Sequence, residues 1–212
     1  MHLRLALISM ACILSIAGCT TAGPEFTRQI FTSQYGAIMD GGYDIPAVPI
    51  TRIDRRYHRQ IVTYKTTEEP GTIIVDTPRR FLYYVLPNDK AVRYGIGVGR
   101  DGFAWQGEAH VAWKRAWPRW HPPAEMVERE PSLARYAKNG QDPGLMNPLG
   151  ARALYLFDDR GRDTLYRLHG TPEWHSIGKA VSSGCIRLMN QDIIDLYERV
   201  TPSRQTKVIV IQ

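Results

Sequence analysis

The sequence predicts a mainly β protein with a few helices, arranged as a sandwich or as a curled mixed sheet. Three observations predict this class: short runs rich in β-branched and aromatic residues, turn residues at roughly ten-residue spacing between them, and one clear helical pattern near the C terminus. The 212 residues, of which 43% are hydrophobic and 23% charged, are sufficient for one domain with a sizeable core. No repeat at a solenoid period is present.

The individual elements are predicted from these runs and the turn residues that bound them. The N-terminal half is expected to form strands within residues 59–66, 71–77, 80–86 and 91–100. Residues 114–150 are rich in proline and weakly periodic, which predicts a long substrate-facing loop with a short helix near 123–130. The C-terminal part is expected to form strands at 152–158 and 164–170, a helix at 190–200 with Asn190 as its N-cap, and a terminal strand at 206–212.

The first 19 residues have the pattern of an export signal. A cationic start is followed by an apolar stretch from Leu5 to Ile16, which is shorter than the roughly 20 residues of a spanning helix. The ending LSIAGC resembles a bacterial lipoprotein signal, which implies lipidation of Cys19. Because Asp does not follow Cys19, the resemblance implies a periplasmic protein anchored to the outer membrane. The alternatives are a plain signal peptide cut nearby or a retained anchor.

Composition and spacing exclude several classes of function. The formal net charge of +6 suits an anionic envelope surface or carboxylate-bearing substrates. No interleaving of aromatic and basic residues is typical of a nucleic-acid platform, so no nucleic-acid partner is expected. No His, Cys, Asp and Glu cluster has metal-ligand spacing, and no glycine run precedes a helix as in a nucleotide loop. The sequence therefore predicts neither a metal nor a cofactor.

Cys185 and His169 are the candidate catalytic pair. Cys185 lies outside the first 19 residues, which hold the two other cysteines, and His169 ends a predicted strand. A free thiol with an ordinary pKa near ~8.5 is mostly protonated at neutral pH and needs a base, which a histidine supplies. Gly184 allows a tight turn, and backbone N–H groups of the Ser183–Cys185 turn are expected to face an oxyanion. From spacing alone, a cysteine packed in the core is the alternative.

The stretch HGTPEWHSIGKAVSSGCIRLMN resembles the signature of the L,D-transpeptidase family with its YkuD catalytic domain, in the branch typical of periplasmic Gram-negative enzymes. Segments at 71–100, 117–126 and 147–171 resemble the same domain in the same order. The resemblance covers about residues 70–212 and implies the curled mixed sheet of that catalytic domain. It leaves residues 20–69 as an N-terminal segment after the signal at 1–19.

The resemblance also implies a role for individual residues. Cys185 would be the nucleophile, His169 the base, and the backbone carbonyl of Gly170 the group that orients the imidazole. Arg187 matches an arginine frequent in this branch and would bind a substrate carboxylate, with a structural ion pair as the alternative. Trp120 and His121 would line the substrate groove, with packing of the long loop as the alternative.

The implied activity is attack on the diaminopimelate–D-Ala bond of a peptidoglycan tetrapeptide stem. D-Ala leaves, and the thioester is resolved by an amine of another stem, by an envelope lipoprotein, or by water. One position departs from the family signature, since Ser183 stands where a histidine is usual. A non-catalytic peptidoglycan-binding envelope lipoprotein with the same fold is therefore a second hypothesis. A papain-like protease is disfavoured because its cysteine precedes its histidine in the chain.

Overall fold

The structure, a computed structural model, describes residues 34–100, 105–182, 184–202 and 206–212. The predicted signal with Cys19 and the variant position Ser183 therefore lie outside the described residues. Of the helices within these ranges, none is long and apolar enough to cross a membrane.

Strands make up most of the regular structure. In chain order they are β1 Ile38–Asp40, β2 Tyr43–Ile45, β3 Gln60–Thr63, β4 Ile73–Asp76, β5 Phe81–Leu86, β6 Lys90–Gly95, β7 Val98–Gly99, β8 Gly107–Ala116, β9 Arg152–Phe157, β10 Asp163–Thr171, β11 Ala180–Ser182, β12 Ile186–Met189 and β13 Lys207–Ile211. The helices are α1 Ala124–Arg129, α2 Ala134–Ala137 and α3 Asn190–Arg199, with 3-10 turns at Ile50–Arg52, Arg55–Tyr57, Pro131–Leu133 and Trp174–Ser176. The predicted mainly β class is confirmed.

One curled mixed sheet organises the described residues. Nine of their strands follow the order β12-β10-β9-β8-β13-β4-β5-β6-β3, with the β12–β10 and β13–β4 pairs parallel and the others antiparallel. The curl brings Gly97, which follows β6, against Arg187 of β12, and their backbones exchange hydrogen bonds of 2.9 and 2.8 Å. The sheet thus nearly closes on itself.

The concave side of the sheet holds the main core. Alternate residues of β9, β10 and β12 point inward, as the period of two requires, and include Leu154, Leu168 and Leu188. Helix α3 covers this side with Ile193 and Leu196, both fully buried. The alternate residues of these strands, among them His169 of β10, therefore point to the convex side of the sheet.

Two predictions about element boundaries are wrong. Strand β8 was not predicted, and it extends to Ala116, into the segment expected to be a loop. Asn190 is not an N-cap: Met189 occupies that position, without a side-chain cap. The Oδ1 atom of Asn190 instead accepts a hydrogen bond of 2.9 Å from the backbone N–H of Ala151.

Residues 34–59 pack against the sheet and helix α3. Arg152 donates two hydrogen bonds of 2.7 and 2.8 Å to Asp40, in the hairpin formed by β1 and β2. Gln191 of α3 donates to the carbonyl oxygens of Gly36 and Pro46. The segment before residue 70 is therefore held to the strand and the helix that flank the candidate catalytic residues.

Candidate active site

Strand β10 positions His169 between two neighbouring strands. In the register of the sheet, His169 lies beside Ala153 of β9 and Arg187 of β12. Leu168 and Gly170 point into the core side, so alternation directs the imidazole to the convex side. The histidine is nevertheless buried, with 4% of its surface exposed.

The backbone carbonyl of Gly170 fixes the tautomer of His169. Nδ1 lies 2.6 Å from the Gly170 oxygen, and because a carbonyl can only accept, Nδ1 carries the hydrogen. Nε2 of the neutral ring is left with its lone pair. This is the contact that the resemblance implied for Gly170.

Burial keeps the imidazole neutral. It lowers the pKa of His169 to about 4, and the charges of Arg187 and Arg167 act in the same direction, against the hydrogen bond to Gly170. At neutral pH the ring is therefore uncharged and able to accept a proton through Nε2.

Cys185 immediately precedes β12 as a free, partly exposed thiol. Because Ile186 lies beside Leu168, continuing the parallel register places Cys185 beside Arg167. Cys185 and His169 are then diagonal neighbours on adjacent strands, about 8 Å apart between their Cα atoms from the strand spacing and rise. This extended register puts the two residues one diagonal step apart on the sheet, and their catalytic roles stay predictions.

The thiol is protonated at rest. Burial raises the pKa of Cys185, although the Arg167 backbone N–H and the charges of Arg167 and Arg187 favour the thiolate. Because the thiol and the imidazole are both neutral at rest, the proton would move from the thiol to the imidazole only as the sulfur attacks.

The turn before the thiol depends on Gly184 and Ser182. Gly184 has a φ of +124°, a conformation that a residue with a side chain rarely adopts. The Ser182 hydroxyl donates to the Cys185 carbonyl oxygen at 2.7 Å and accepts from the Gly184 N–H at 3.3 Å. Ser182 was predicted only as part of the turn that aims backbone N–H groups; its hydroxyl bonds to the local backbone were not predicted, although serine hydroxyls often make such bonds.

Of the three residues predicted to bind substrate, Arg187 is engaged in an ion pair, and Trp120 and His121 lie in the segment between β8 and β9. Arg187 donates a 2.6 Å hydrogen bond to Glu173, so the ion pair left open by the sequence is formed. Trp120 bonds Gln141 through the backbone, and its ring meets the edge of the Tyr136 ring at 6.4 Å. His121 is exposed. Roles for Arg187, Trp120 and His121 in substrate binding stay predictions.

A cavity of about 170 Å³ lies on the concave side and is lined by Gly184 and Ile186, the two residues that flank Cys185 in the chain, but not by Cys185 itself. Gly184, Ile186, Tyr166 and Trp105 are among its lining residues, and the Tyr166 and Trp105 rings stack at 5.4 Å. Burial, followed by the nearby charge of Cys185, raises the pKa of the Tyr166 phenol. The sequence analysis did not identify Tyr166 or Trp105, because their contact with the site depends on the curl of the sheet.

Asn190 holds the backbone around Gly170. A Cβ atom on Gly150 or on Gly170 would clash with Asn190 Oδ1, so both positions need glycine for the close approach. The same oxygen accepts from Ala151. Asn190 therefore ties the end of the long loop to the residue whose carbonyl orients His169.

Comparison with known proteins identifies the family of this chain. The model of the YkuD L,D-transpeptidase catalytic domain matches residues 70–210. The chain belongs to this family. The match begins before β4 and ends within β13, and so contains His169 of β10 and Cys185 before β12.

Curated relatives of this L,D-transpeptidase domain come from Escherichia coli. The chain is 36% identical over 147 residues to the probable L,D-transpeptidase YcfS, covering 65% of this chain and 43% of the relative. It is 32% identical over 155 residues to the probable L,D-transpeptidase YbiS, covering 71% of this chain and 48% of the relative. The matched region thus spans just under half the length of these relatives.

A solved structure from Brucella melitensis, described as a probable carnitine operon oxidoreductase, is 47% identical to this L,D-transpeptidase-family chain. The superposition covers 72% of this chain and 94% of that chain, with a TM-score of 0.51. That description names another enzyme class, whereas the family model matches the transpeptidase catalytic domain. The family assignment here rests on the model match.

The described residues contain no group of three or more His, Cys, Asp and Glu side chains that could hold a metal ion. The candidate reactive groups of the site are the thiol, the imidazole and backbone groups.

Proposed function

We propose that this protein is a peptidoglycan L,D-transpeptidase with Cys185 as its nucleophile and His169 as its base. The observation that carries the proposal is the 2.6 Å contact between His169 Nδ1 and the Gly170 carbonyl, one strand away from the thiol. That contact leaves Nε2 free to act as a base on the convex side of the sheet. Membership of the L,D-transpeptidase family supports the same reaction class.

In the first half-reaction, the Cys185 sulfur attacks the carbonyl between the L-centre of diaminopimelate and D-Ala. His169 Nε2 takes the thiol proton as the S–C bond forms. The C–N bond then breaks, the imidazolium returns the proton to the leaving amine of D-Ala, and a thioester remains. The backbone N–H of Cys185 would stabilise the oxyanion, whereas the N–H of Gly184 donates to the Ser182 hydroxyl.

In the second half-reaction, an acceptor amine attacks the thioester and releases the thiol. A diaminopimelate amine of another stem would give a 3→3 cross-link, and a lysine of an envelope lipoprotein would give an attached protein. Water would give a free carboxylate, which is L,D-carboxypeptidase activity. His169 would accept the proton of each nucleophile and return it to the sulfur.

Such an enzyme would act in the periplasm, where peptidoglycan stems are accessible. We further propose that Cys19 carries a lipid that anchors the protein to the outer membrane, as the LSIAGC sequence suggests. Radiolabelled palmitate incorporation by wild type but not by Cys19→Ala tests this anchor.

The enzymatic proposal is tested with purified protein and tetrapeptide-bearing muropeptides, followed by mass analysis of the products. Wild type is expected to release D-Ala and to form cross-linked dimers or tripeptides, whereas Cys185→Ala is expected to leave the substrate intact. Intact substrate with wild type, and no covalent adduct on the protein, would instead favour the non-catalytic peptidoglycan-binding role.

A further inference from the structure

An exposed aromatic stack lies on the convex side of the sheet. Trp113 of β8 and Tyr155 of β9 stack with ring centroids 3.5 Å apart and ring planes 8° from parallel. Trp113 keeps 42% of its surface exposed, although it lies within a strand paired to β9. No other ring of the described residues stacks on Trp113. The pair therefore presents aromatic surface to solvent at a fixed place on the sheet.

The cation of Arg167 packs on this aromatic pair and holds it in place. The guanidinium of Arg167 lies over the Tyr155 ring at 4.5 Å, and it also donates to Asp163 at 2.6 and 2.7 Å. In the register, Trp113 lies beside Tyr155, and Tyr155 lies beside Arg167. Trp113, Tyr155 and Arg167 thus form one lateral row across three strands.

The same row leads to the thiol. Cys185, which immediately precedes the next strand, lies next to this row because the backbone N–H of Arg167 donates to its sulfur. Three strand spacings separate Trp113 from Cys185, which is about 14 Å. The aromatic stack therefore lies on the side of the sheet that carries His169, at a defined distance from the reacting sulfur.

The adjacent row carries a cation suited to a substrate carboxylate. Arg115 of β8 and His169 of β10 both lie beside Ala153 of β9, so about 10 Å separates them. Arg115 is exposed and forms no ion pair with another described residue. The surface between Trp113 and the thiol therefore carries the Tyr155 ring, the Arg167–Asp163 ion pair and the exposed cation of Arg115.

We propose that the face of Trp113 opposite Tyr155 is a platform for a pyranose ring of the glycan strand, from which the peptide stem runs across the sheet to Cys185, with Tyr155 holding the indole in place. This rests on the proposed function, since it concerns the same substrate. A pyranose ring has a face of C–H groups that packs on the electron-rich face of an aromatic ring. Arg115 would then pair with a carboxylate of the stem.

The dimensions of the substrate support this occupant. Three residues of a tetrapeptide stem precede the scissile carbonyl, and an extended chain of three residues spans about 10 Å. The link from the sugar to the first residue adds a few ångströms. The length of an extended stem with its link to the sugar is therefore of the same order as the roughly 14 Å between the positions of Trp113 and Cys185 on the sheet.

The test compares two substrates that differ only in the sugar: a disaccharide-tetrapeptide and the same tetrapeptide without the disaccharide. The kcat/KM for D-Ala release is measured for each, and the ratio is the readout. One stacked ring contributes about 0.5–1.5 kcal/mol, so wild type is expected to prefer the sugar-bearing substrate by roughly 2- to 12-fold. Trp113→Ala should bring the ratio close to one, and Trp113→Tyr should retain most of it.

Ile61→Ala is the matched control. Ile61 is 66% exposed and lies on β3, at the other edge of the sheet, so this variant should keep the wild-type ratio. A wild-type ratio near one, or an equal loss on both substrates in Trp113→Ala, would overturn the platform and leave the transpeptidase proposal standing.

A second measurement separates the platform from the enzymatic activity. The disaccharide alone is titrated with Cys185→Ala protein, and broadening of its ring-proton NMR signals is recorded. Broadening with Cys185→Ala that is lost in the Cys185→Ala, Trp113→Ala double variant supports the platform. Failure of wild type to turn over either substrate would overturn the proposed function without affecting this result. Absence of broadening with either protein overturns the platform.

Discussion

The Nδ1 atom of His169 lies 2.6 Å from the carbonyl oxygen of Gly170, the residue that follows it on strand β10. The Gly170 carbonyl can orient the His169 ring only if the backbone at Gly170 is itself held in place. Asn190 provides this, since its oxygen is packed against Gly150 and Gly170 and accepts from Ala151. The orientation of the candidate base is therefore linked to the start of helix α3.

The first prediction concerns the pH dependence of thiol acylation by a carbapenem. Burial lowers the pKa of His169 to about 4, so the neutral base is present above that pH and is lost as the pH falls through it. The second-order rate, followed by intact mass, should therefore keep its neutral-pH value down to about pH 5 and decline near pH 4. His169→Ala should lower the rate by about 10²- to 10⁴-fold.

His175→Ala is the control for this profile, because His175 is exposed in the loop between the two candidate residues. It should leave the rate and the acid limb unchanged. An acid limb near the ordinary histidine pKa of about 6.5 would contradict the buried, neutral base.

The second prediction concerns Asn190→Ala. The substitution leaves the buried N–H of Ala151 without its acceptor, which costs about 1–3 kcal/mol of unfolding free energy. In a chain of this size each kcal/mol lowers Tm by roughly 2–4 °C. Differential scanning calorimetry measures the change. Asn139→Ala, at an exposed loop position, should leave Tm unchanged; equal Tm values for both variants would contradict the bridging role of Asn190.

The third prediction concerns Asp192, a fully buried residue of α3. Burial raises the pKa of its carboxyl to about 7, although the charge of Arg59 opposes this. The folded state therefore favours the protonated form, so the stabilising contribution of Asp192 is complete below about pH 4 and is lost as the pH rises through about 7. The Asp192→Asn variant carries no charge at this position at any pH. The Tm of the variant minus the Tm of wild type should therefore be larger at pH 8.5 than at pH 5.

Asp195→Asn is the comparison, because that residue has the opposite shift. Burial acts to raise the pKa of Asp195, but hydrogen bonds from Arg199 and Tyr94 outweigh it and the pKa is lowered. Asp195 therefore stabilises the fold above its ordinary pKa, and this contribution is lost as the pH falls through the lowered value. A Tm difference for Asp192→Asn that does not change with pH would refute the buried, protonated carboxyl.

The fourth prediction concerns the hairpin that contains Asp40. Asp40→Ala removes both hydrogen bonds from Arg152 and the 2.8 Å bond from Trp117 Nε1. The mostly buried guanidinium of Arg152 is left with the Ala151 carbonyl, which disfavours the docked hairpin. Limited proteolysis should then cut near residues 38–45 faster than in wild type. Asp44→Ala, on the same hairpin, should retain the wild-type pattern, and equal cleavage of the two variants would exclude the anchor.

Much of the fold could be predicted because the strands of the core have clear patterns. Residues 73–76 and 81–86 are β-branched and aromatic between turn residues, and the amphipathic pattern at 190–199 marks α3. Strand β8 was missed because its outward positions carry charged and aromatic side chains, and its pairing with β13 and β9 depends on long-range register.

The candidate site was predictable only in part. The motif around Cys185 located the thiol and His169 along the chain, but it did not predict strand β12, which lies between the thiol and α3. Asn190, Ser182 and Tyr166 reach the site through contacts that arise from the curl of the sheet and from the turn geometry, which spacing along the chain does not contain.

Cys185 is expected to form an acyl-enzyme with the substrate of the transpeptidase reaction. Intact-protein mass spectrometry after brief mixing with a tetrapeptide muropeptide, followed by peptide mapping, measures this directly. The account predicts a thioester adduct that has lost D-Ala, located on the peptide containing Cys185, and absent in Cys185→Ala. An unmodified Cys185 while D-Ala is released, or an adduct on another residue, would contradict it.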